Sequence, residues 1–416
     1  MPETPGAPGR RDARSQPTRS RNTGTSGRDA PLYGALDLGT NNCRLLIARP
    51  ARDGFRVVDS FSRIVRLGEG LTRTGRLDDR AMDRAYDALA LCAERVARKG
   101  LEPARLTAVA TQACRAAENG PAFVDRVRRG TGLKLKIIDP AEEARLSVAG
   151  CLNLFDPQAE AVLVIDVGGG STELSWLTRG SQGFDNRGWM SAPLGVVTLA
   201  ERHPEPAEGV EAWYEAMVAD VGAVLAQGGP NDDRVRPLFE SGQVHMVGTS
   251  GAITSLAGIH LGLRRYQRDL VDGLWMTRAD CEAAAERLKA LGPAGRAAES
   301  CIGPDRADLV LAGAAILEAV QRAWPCDRVR VADRGLREGL LLQRMREDRQ
   351  KPRRRRRRRR GGGGNGAGAA AETAQGRRRK RRRNSGLTAS SSRPAGRCRT
   401  PRSPRPASDA PSRPGP

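Results

Sequence analysis

Short apolar runs alternate with longer amphipathic stretches along most of this chain, starting at Tyr33. Apolar runs bounded by turn residues predict strands at 33–38, 44–48, 55–65, 106–110, 135–138, 161–167, 172–177, 244–247 and 328–331. Apolar residues spaced by three or four positions predict helices at 78–99, 141–154, 210–226, 252–261, 278–290, 307–323 and 336–346. Strands that alternate with helices favour a layered α/β fold.

Two stretches of the pattern, residues 35–41 and 164–172, share one plan. Each is an apolar strand that ends in Asp, followed by an apolar residue, a Gly and a hydroxyl residue, and in each case a second strand follows. Two copies of one strand–turn–strand unit predict a duplicated fold with a cleft between its halves.

The positive charge is concentrated at the ends of the chain. The formal net charge is +22. Residues 351–416 carry 22 Lys and Arg against two acids, and residues 1–30 carry six Arg against three acids. The stretch between them is therefore near neutral, at −1. Both ends are poor in apolar residues, so we expect a disordered segment at 1–30 and a disordered basic tail at 350–416.

The cysteines and histidines restrict the cellular compartment and the kind of metal that we expect. The eight cysteines are scattered and form no Cys-x-x-Cys pair, which is typical of reduced thiols and predicts a cytoplasmic protein. No apolar run reaches the roughly eighteen residues of a membrane span, and the polar N-terminus lacks the apolar region of a signal peptide. Because the chain has three histidines, a metal would be held by carboxylates, which favours a hard cation such as Mg²⁺.

The first strand–turn–strand unit contains Asp37, Gly39, Thr40 and Asn41. Gly39 lets backbone N–H groups approach an anion closely, since glycine has no Cβ, and Thr40 and Asn41 add side-chain donors. Asp37 ends a buried strand, where it is placed to hold a metal or a metal-bound water. An ordinary strand–turn–strand unit is an equally good interpretation of this pattern taken alone.

Three consecutive glycines, residues 168–170, follow the second unit's first strand. A plain turn needs one or two glycines, and each costs conformational entropy, so we predict that something presses against this backbone. A phosphate chain is a natural candidate. Asp166 and Glu173 flank the loop. The alternative is a glycine-rich hairpin in which Asp166 caps the turn.

Two further segments carry candidate chemistry. Residues 248–251 lie between an apolar strand and an apolar helix, where their N–H groups would form an anion site at a helix N-terminus. A simple Ser/Thr N-cap is at least as good an interpretation. Glu142 and Glu143 follow Pro140 in the first turn of another predicted helix. Acids there favour the helix dipole, so the pair alone favours capping.

Seven segments occur together in the order typical of one known family: residues 35–47, 110–115, 142–146, 165–174, 193–197, 248–257 and 305–317. The sets Gly-Gly-Gly-Ser-Thr-Glu and Glu-Glu-Ala-Arg, in that family's order, are the specific ones. From residue 33 to about residue 345 the chain resembles the exopolyphosphatase / guanosine pentaphosphate phosphatase (Ppx/GppA) family. One departure is Asn42, which stands where many members have a small hydroxyl residue.

The resemblance implies the α/β fold of the actin / sugar kinase / Hsp70 superfamily, with duplicated ribonuclease-H-like domains around a cleft. It implies a first domain at 31–139, with 328–347 packing back on it, and a second domain at 140–327.

The resemblance also implies a role for individual residues. Glu143 matches the carboxylate that activates the attacking water, and Arg115 matches an arginine that faces the cleft and steadies developing charge. By this resemblance, Asp37, Asp166 and Glu173 would bind the metal, Mg²⁺ or Mn²⁺, and Glu173 would also position water. The phosphate-binding residues are Gly39, Thr40, Asn41, Gly168, Gly169, Gly170, Ser171, Gly248, Thr249, Ser250 and Gly251.

Three functions remain open at this stage. The first is hydrolysis of the terminal phosphate of polyphosphate or guanosine pentaphosphate, with polyphosphate favoured because no base-recognition feature is evident. The second is a kinase of the same superfamily, which predicts the two hairpins but not the setting of Glu143. The third is electrostatic binding of a polyanion or RNA through the basic tail, which has no aromatic residue for base stacking. The resemblance leaves a homodimer open.

Overall fold

The computed structural model describes residues 30–52, 54–230 and 232–361, and within these ranges two β-sheets alternate with helices along the chain. The first sheet has five strands, β1 (Tyr33–Leu38), β2 (Asn42–Ala51), β3 (Gly54–Ile64), β4 (Leu106–Ala110) and β5 (Leu135–Ile137). The helices of this half are α1 (Leu71–Thr74), α2 (Asp79–Arg98), α3 (Gln112–Ala116) and α4 (Gly120–Thr131), with a 3₁₀ turn at Pro103–Arg105.

The second sheet, in the same described ranges, has six strands: β6 (Ala161–Val167), β7 (Thr172–Gly180), β8 (Gly183–Ala192), β9 (Val244–Thr249), β10 (Trp275–Thr277) and β11 (Arg328–Ala332). Helix α5 (Pro140–Cys151) and a 3₁₀ turn (Leu152–Leu154) precede it. Its other helices are α6 (Val196–Arg202), α7 (Val210–Leu225), α8 (Val235–Ser241), α9 (Gly251–His260), α10 (Arg268–Val271), α11 (Arg278–Ala298), α12 (Val310–Ala323) and α13 (Leu336–Gly361).

The two sheets repeat one topology. The first has the order β3-β2-β1-β4-β5, in which β1, β2 and β3 form an antiparallel meander and β4 and β5 run parallel to β1. The second contains the same plan as β8-β7-β6-β9-β11, with β10 added at the edge. This repetition confirms the prediction of duplicated ribonuclease-H-like halves. Since β1 and β6 are equivalent strands, the turns that follow them lie at equivalent edges of their sheets.

Helix α2 shows how local sequence places an element. Asp78 accepts the backbone N–H of Ala81 at 3.1 Å and so caps the helix. Ala81, Ala85, Leu89 and Val96 are buried along one face against the first sheet. The apolar spacing that predicted a helix at 78–99 therefore predicted both ends of α2 to within one residue.

Helices α5 and α13 cross at glycine contacts and join the two halves. A Cβ on Gly339 would lie 2.0 Å from the carbonyl oxygen of Leu146, and a Cβ on Gly150 would lie 2.0 Å from the carbonyl oxygen of Gly335. Leu146 of α5 and Leu340 of α13 share one hydrophobic cluster with strands of the first sheet. The helical part of the predicted segment 328–347 thus packs on the first half. Its strand part, β11, instead belongs to the second sheet, because it pairs in parallel with β9.

Several elements differ from the sequence-based predictions. Strands β8 and β10, both at sheet edges, were not predicted, because β8 carries polar residues and glycines instead of an apolar run and β10 is only three residues long. Helix α13 continues to Gly361, so residues 350–361, which we expected in the disordered tail, have helical backbone. Arginine is a good helix former, which is compatible with this continuation. The rest of the predicted tail and residues 1–29 lie outside the described residues.

The cysteines agree with the expectation of reduced thiols. Seven of the eight lie in the described ranges, and all seven are free and buried. No helix in the described part of the chain combines the length and the apolar character needed to cross a bilayer.

Candidate functional site

A cleft of about 700 Å³ lies where the turns after β1, β6 and β9 meet the N-terminal ends of α5 and α13. It brings together most of the residues predicted from the sequence: Asp37, Gly39, Thr40, Asn41, Glu143, Asp166, Gly168, Gly169, Gly170, Ser171, Thr249, Ser250 and Gly251. Arg115, Glu173 and Gly248 do not line it. The equivalent positions of β1 and β6 in the two sheets explain why residues so distant in sequence converge.

The first two glycine loops press against each other. A Cβ on Gly169 would lie 2.9 Å from Cβ of Thr40, and a Cβ on Gly170 would lie 2.1 Å from Oε1 of Gln112. Thr40 Oγ1 donates to the same Gln112 oxygen at 3.0 Å. The prediction that something presses against the three glycines is therefore right, but the near neighbours are the protein's own side chains.

The third loop has strained geometry. Ser250 has φ 131°, a value that non-glycine residues rarely adopt. Residues with such backbone conformations cluster at functional sites. Its hydroxyl accepts the N–H of Ala252 at 3.2 Å and so caps α9, as the simple interpretation required. Thr249 Oγ1 donates to the carbonyl of Arg334 at 2.7 Å. Gly248 lies within β9 against Ile253, away from the cleft, which corrects its predicted role.

The two neighbouring glutamates of α5 have different environments. Asp139 accepts the N–H of Glu142 at 2.8 Å and caps the helix, while the Glu142 carboxylate pairs with Lys136 at 2.5 Å. Glu143 is buried and lines the cleft, with Oε2 at 3.0 Å from Nη1 of Arg115. The capping interpretation therefore fits Asp139 and Glu142, and Glu143 is the carboxylate directed at the site.

Arg115 contacts the site through Glu143 and does not face the cleft as the resemblance implied. Its Nη1 also donates to the carbonyl of Ile138 at 2.8 Å, which fixes the guanidinium behind the carboxylate. A bonded guanidinium in that position orients Glu143 and stabilises its ionised form.

Comparison with known proteins decides the family. A family model described as the Ppx/GppA phosphatase family matches residues 46–348. This chain belongs to the Ppx/GppA phosphatase family. It is 29% identical over 321 residues to a protein named guanosine-5'-triphosphate,3'-diphosphate pyrophosphatase from Photobacterium profundum, which covers 76% of this chain and 60% of that protein. It is 30% identical over 325 residues to exopolyphosphatase 1 of Mycobacterium tuberculosis, which covers 75% of this chain and 88% of that protein.

Solved structures of Ppx/GppA proteins share the fold. The crystal structure of the Aquifex aeolicus family member has a TM-score of 0.61 and 28% identity, with coverage of 76% of this chain and 98% of that one. The crystal structure of an exopolyphosphatase-like protein has a TM-score of 0.66 and 30% identity, with coverage of 76% and 97%. The chain thus spans nearly the whole of these structures, but about 60% of the length of the Photobacterium protein.

The carboxylates of this Ppx/GppA site raise one another's pKa. Burial, and then the charge of Glu173, raise the pKa of Glu143 to about 9, while Arg115 lowers it. Burial and Asp166 raise the pKa of Glu173 to about 7, against hydrogen bonds from Ser191 and Ser171 that lower it. Groups of like charge in a buried site hold protons more tightly, so positive charge delivered to this cleft would favour ionisation.

Asp37 and Asp166 fit a hard cation better than Glu173 does. Asp37 Oδ1 is buried and has no hydrogen-bond partner among the described residues, and burial raises the pKa of Asp37 to about 6. Mg²⁺ is commonly held by one or two carboxylates, with waters and substrate phosphates completing the shell. Glu173 lies outside the cleft lining and is hydrogen-bonded by Ser191 at 2.8 Å. No group of three or more His, Cys, Asp or Glu in the described ranges is arranged to hold a metal.

Sequence reasoning missed several arginines of the cleft and a serine. Arg44, Arg306 and Arg337 line the cleft, and burial followed by the charge of Arg337 lowers the pKa of Arg44. Arg44 lies opposite Asp37 in the β1–β2 register, so pairing the predicted hairpin could have revealed it. Ser147, one turn after Glu143 on the buried face of α5, donates to Asp166 Oδ2. Helical spacing from Glu143 would have pointed to it.

Proposed function

We propose that this protein hydrolyses the terminal phosphoanhydride bond of a polyphosphate chain, with water as the acceptor. The observation that carries the proposal is Glu143. It is a buried carboxylate held at 3.0 Å by Arg115 and directed into a cleft that is also lined by two glycine loops, Asp37 and Asp166. Phosphoryl transfer needs positioning and charge neutralisation, together with a base that orients the nucleophile, and the cleft offers groups for each.

In this mechanism Glu143 accepts a proton from the attacking water at its carboxylate. The backbone N–H groups of the glycine loops and the guanidinium of Arg44 bind the phosphoryl oxygens. Arg115 holds the Glu143 carboxylate in place from behind. A Mg²⁺ or Mn²⁺ ion bound by Asp37 and Asp166 would neutralise phosphate charge and favour the ionised form of the nearby acids.

Names of relatives support an anhydride hydrolase and leave two substrates. One relative is named for guanosine pentaphosphate chemistry and another as an exopolyphosphatase. Polyphosphate is the better candidate because the match spans 88% of the exopolyphosphatase and 60% of the other protein. A smaller share of the guanosine-5'-triphosphate,3'-diphosphate pyrophosphatase corresponds to this chain, so less of that protein's activity is expected here.

Phosphate release from the purified full-length protein tests the proposal directly. Long-chain polyphosphate and guanosine pentaphosphate are supplied side by side, without any acceptor other than water. We expect inorganic phosphate from polyphosphate, at a higher kcat/KM than from the nucleotide. A kinase of the same superfamily would release phosphate only slowly until a sugar or acid acceptor is added, and that result would overturn the proposal.

The cation is tested separately. Exhaustive chelation should abolish phosphate release, and Mg²⁺ or Mn²⁺ should restore it. Asp37→Asn should raise the Mg²⁺ concentration needed for half-maximal rate, because one ionic ligand is lost, and should weaken Mn²⁺ binding measured by electron paramagnetic resonance. Asp59→Asn is the control, since Asp59 pairs with Arg95 away from the cleft. Full activity in the chelator would rule out the cation.

A further inference from the structure

Residues 66–74 of the first half reach across to the second half at two places. The guanidinium of Arg66 makes two hydrogen bonds of 3.0 Å to the carboxylate of Asp308, and a third of 3.0 Å to the carbonyl of Asp305. Further along, Glu201 accepts the backbone N–H of Gly70 at 2.8 Å and the hydroxyl of Thr72 at 2.9 Å. The two attachments use different groups, so each holds the segment independently.

The base of the same segment is fastened to the first glycine loop. The N–H of Gly68 donates to the carbonyl of Thr40 at 2.9 Å, and the N–H of Arg66 donates to the carbonyl of Asn41 at 3.1 Å. A Cβ on Gly68 would lie 2.2 Å from Cγ2 of Thr40, so backbone and loop are in close contact. Movement of residues 66–74 must therefore move the loop that carries Thr40 and Asn41.

The attachment points on the second half are connected to the rest of the cleft. Glu201 lies on α6, whose first N–H groups, from Val196 and Val197, donate to the carbonyls of Gly168 and Gly169 at 3.0 and 2.8 Å. Asp305 and Asp308 flank Arg306, which lines the cleft. One segment thus links three walls of the site: the first loop, the second loop and the arginine opposite them.

We propose that residues 66–74 form an interdomain clasp that holds the cleft closed and positions both glycine loops and Arg306 around a bound phosphate. Arg66 and Glu201 act as positioning residues, because they contact the walls of the site and not the reacting atoms. When the clasp is fastened, the space beside Gly169 is narrow, since a Cβ added there would lie 2.9 Å from Cβ of Thr40, and opening of the clasp would widen the gap between the two loops.

The contacts of the clasp are weak enough to open in each cycle. The side chains of Arg66 and Asp308 are 33% and 51% exposed, and ion pairs exposed to that degree are screened by salt and contribute little. Arg66 also has φ 46°, a left-handed conformation that is unfavourable for a long side chain. A closed state held by such contacts exchanges readily with an open one.

Hydrogen–deuterium exchange of the full-length protein tests the clasp without any assay of activity. The double variant Asp308→Asn/Glu201→Gln removes the carboxylate charge from both attachments at exposed positions of the second half, and leaves the hydrogen bond from Arg66 to the carbonyl of Asp305. We expect amide exchange in residues 39–41 and 168–171 to become about three- to tenfold faster, while the core strands are unchanged. Asp83→Asn, which breaks an exposed Arg–Asp pair within the first half, is the matched control and should leave both loops unchanged.

Charge exchange provides the second arm. Arg66→Asp/Asp308→Arg restores an ion pair in reversed orientation, and Asp also tolerates the left-handed backbone at position 66. We expect it to recover slow exchange in both loops, whereas either single variant does not. Unchanged exchange in the double variant, or no recovery on charge exchange, would overturn the clasp. A change in KM for polyphosphate is also expected, but that readout alone rests on the proposed function, so its failure would count against the function and not against the clasp.

Discussion

At the scale of single residues, adjacent glutamates on α5 have unrelated tasks. Glu142 pairs with Lys136 at the surface, while Glu143 is buried beside Arg115. Both are acids in the first turn of one helix, so both interact favourably with the helix dipole, and that interaction does not distinguish them. Their separation comes from helix geometry, because successive side chains point about 100° apart and only one of the two can face the second sheet.

Glu143→Gln should therefore abolish most of the activity, whereas Glu142→Gln should not. Gln keeps the size and the acceptor for Arg115 but cannot take a proton, and loss of a general base typically costs about 10²–10⁴ in rate. Steady-state phosphate release at saturating substrate measures the effect on kcat. A Glu143→Gln enzyme within about threefold of the parent would show that another group activates the water.

The same substitution should change stability in a pH-dependent way. The pKa of Glu143 is raised to about 9 in the folded protein, whereas its ordinary value is near 4.5. Between these two pH values the folded protein keeps a proton on Glu143 that the unfolded chain has released. The folded state is therefore penalised as pH rises from 4.5 towards 9, and Gln, which does not titrate, escapes this penalty. Glu143→Gln should exceed the parent in free energy of unfolding by more than about 1 kcal/mol at pH 8.

Urea denaturation at two pH values checks the sign. A pH of about 5 lies close to the ordinary pKa of the carboxyl, so unfolding releases only part of a proton there. The free energies of unfolding of parent and variant should therefore nearly coincide at this pH. A variant that is less stable than the parent by about the same amount at pH 5 and at pH 8 would instead mean that Glu143 is stabilised in its ionised form.

At the scale of elements, close backbone approach decides where helices can cross. Helix α13 packs on α5 through Gly339, whose Cβ position is 2.0 Å from the Leu146 carbonyl oxygen. Helix propensity alone favours Ala over Gly by about 1 kcal/mol, so the two effects oppose each other at this position. Because the obstructing atom belongs to the backbone and not to a flexible side chain, we expect the cost of the steric clash to exceed the gain in helix propensity.

Gly339→Ala should thus destabilise the protein by about 1–3 kcal/mol in spite of its better helix propensity. Gly222→Ala is the matched control, since Gly222 lies in α7 and no described atom outside the neighbouring turns of that helix lies within 4 Å of its Cβ position, and this change should stabilise by about 0.5–1 kcal/mol. Thermal unfolding followed by circular dichroism compares them. Equal and positive shifts in Tm for both variants would show that the α5–α13 crossing adapts without cost.

At the scale of the whole molecule, charge is divided unequally between residues 31–350 and the C-terminal segment 351–416. Residues 31–350 are near neutral, at −1, whereas residues 351–416 carry +20. A near-neutral fold attracts a polyanion weakly at long range, so the C-terminal charge would supply most of the local concentration of substrate.

Deletion of residues 351–416 should raise KM for long polyphosphate several-fold at low salt and leave kcat nearly unchanged. The difference should disappear at high ionic strength, where screening removes the contribution of the arginines. Tripolyphosphate, which carries few charges, is the control substrate and should be affected little. Identical KM values for both proteins at low salt would instead favour a nucleic acid or protein partner for this segment.

The local patterns in the sequence determined a large part of this protein. The strand–turn–strand units at Asp37 and Asp166, the position of Glu143 in a first turn and the two ends of α2 were all predicted from a few neighbouring residues. These features depend on periodicity, capping and turn chemistry, which act over a few positions of the chain. The duplicated plan could be predicted for the same reason, since each copy carries its own local pattern.

Tertiary structure decided what those residues touch. The neighbours of the three glycines are Thr40 and Gln112, the partner of Glu143 is Arg115, and β8 and β10 exist because a sheet edge accepts them. The same holds for Arg306 and Arg337, which reach the cleft from segments more than 100 residues beyond Glu143. Contacts of that kind depend on how the two sheets and α13 pack together, and packing is a property of the assembled core that no short stretch of sequence contains.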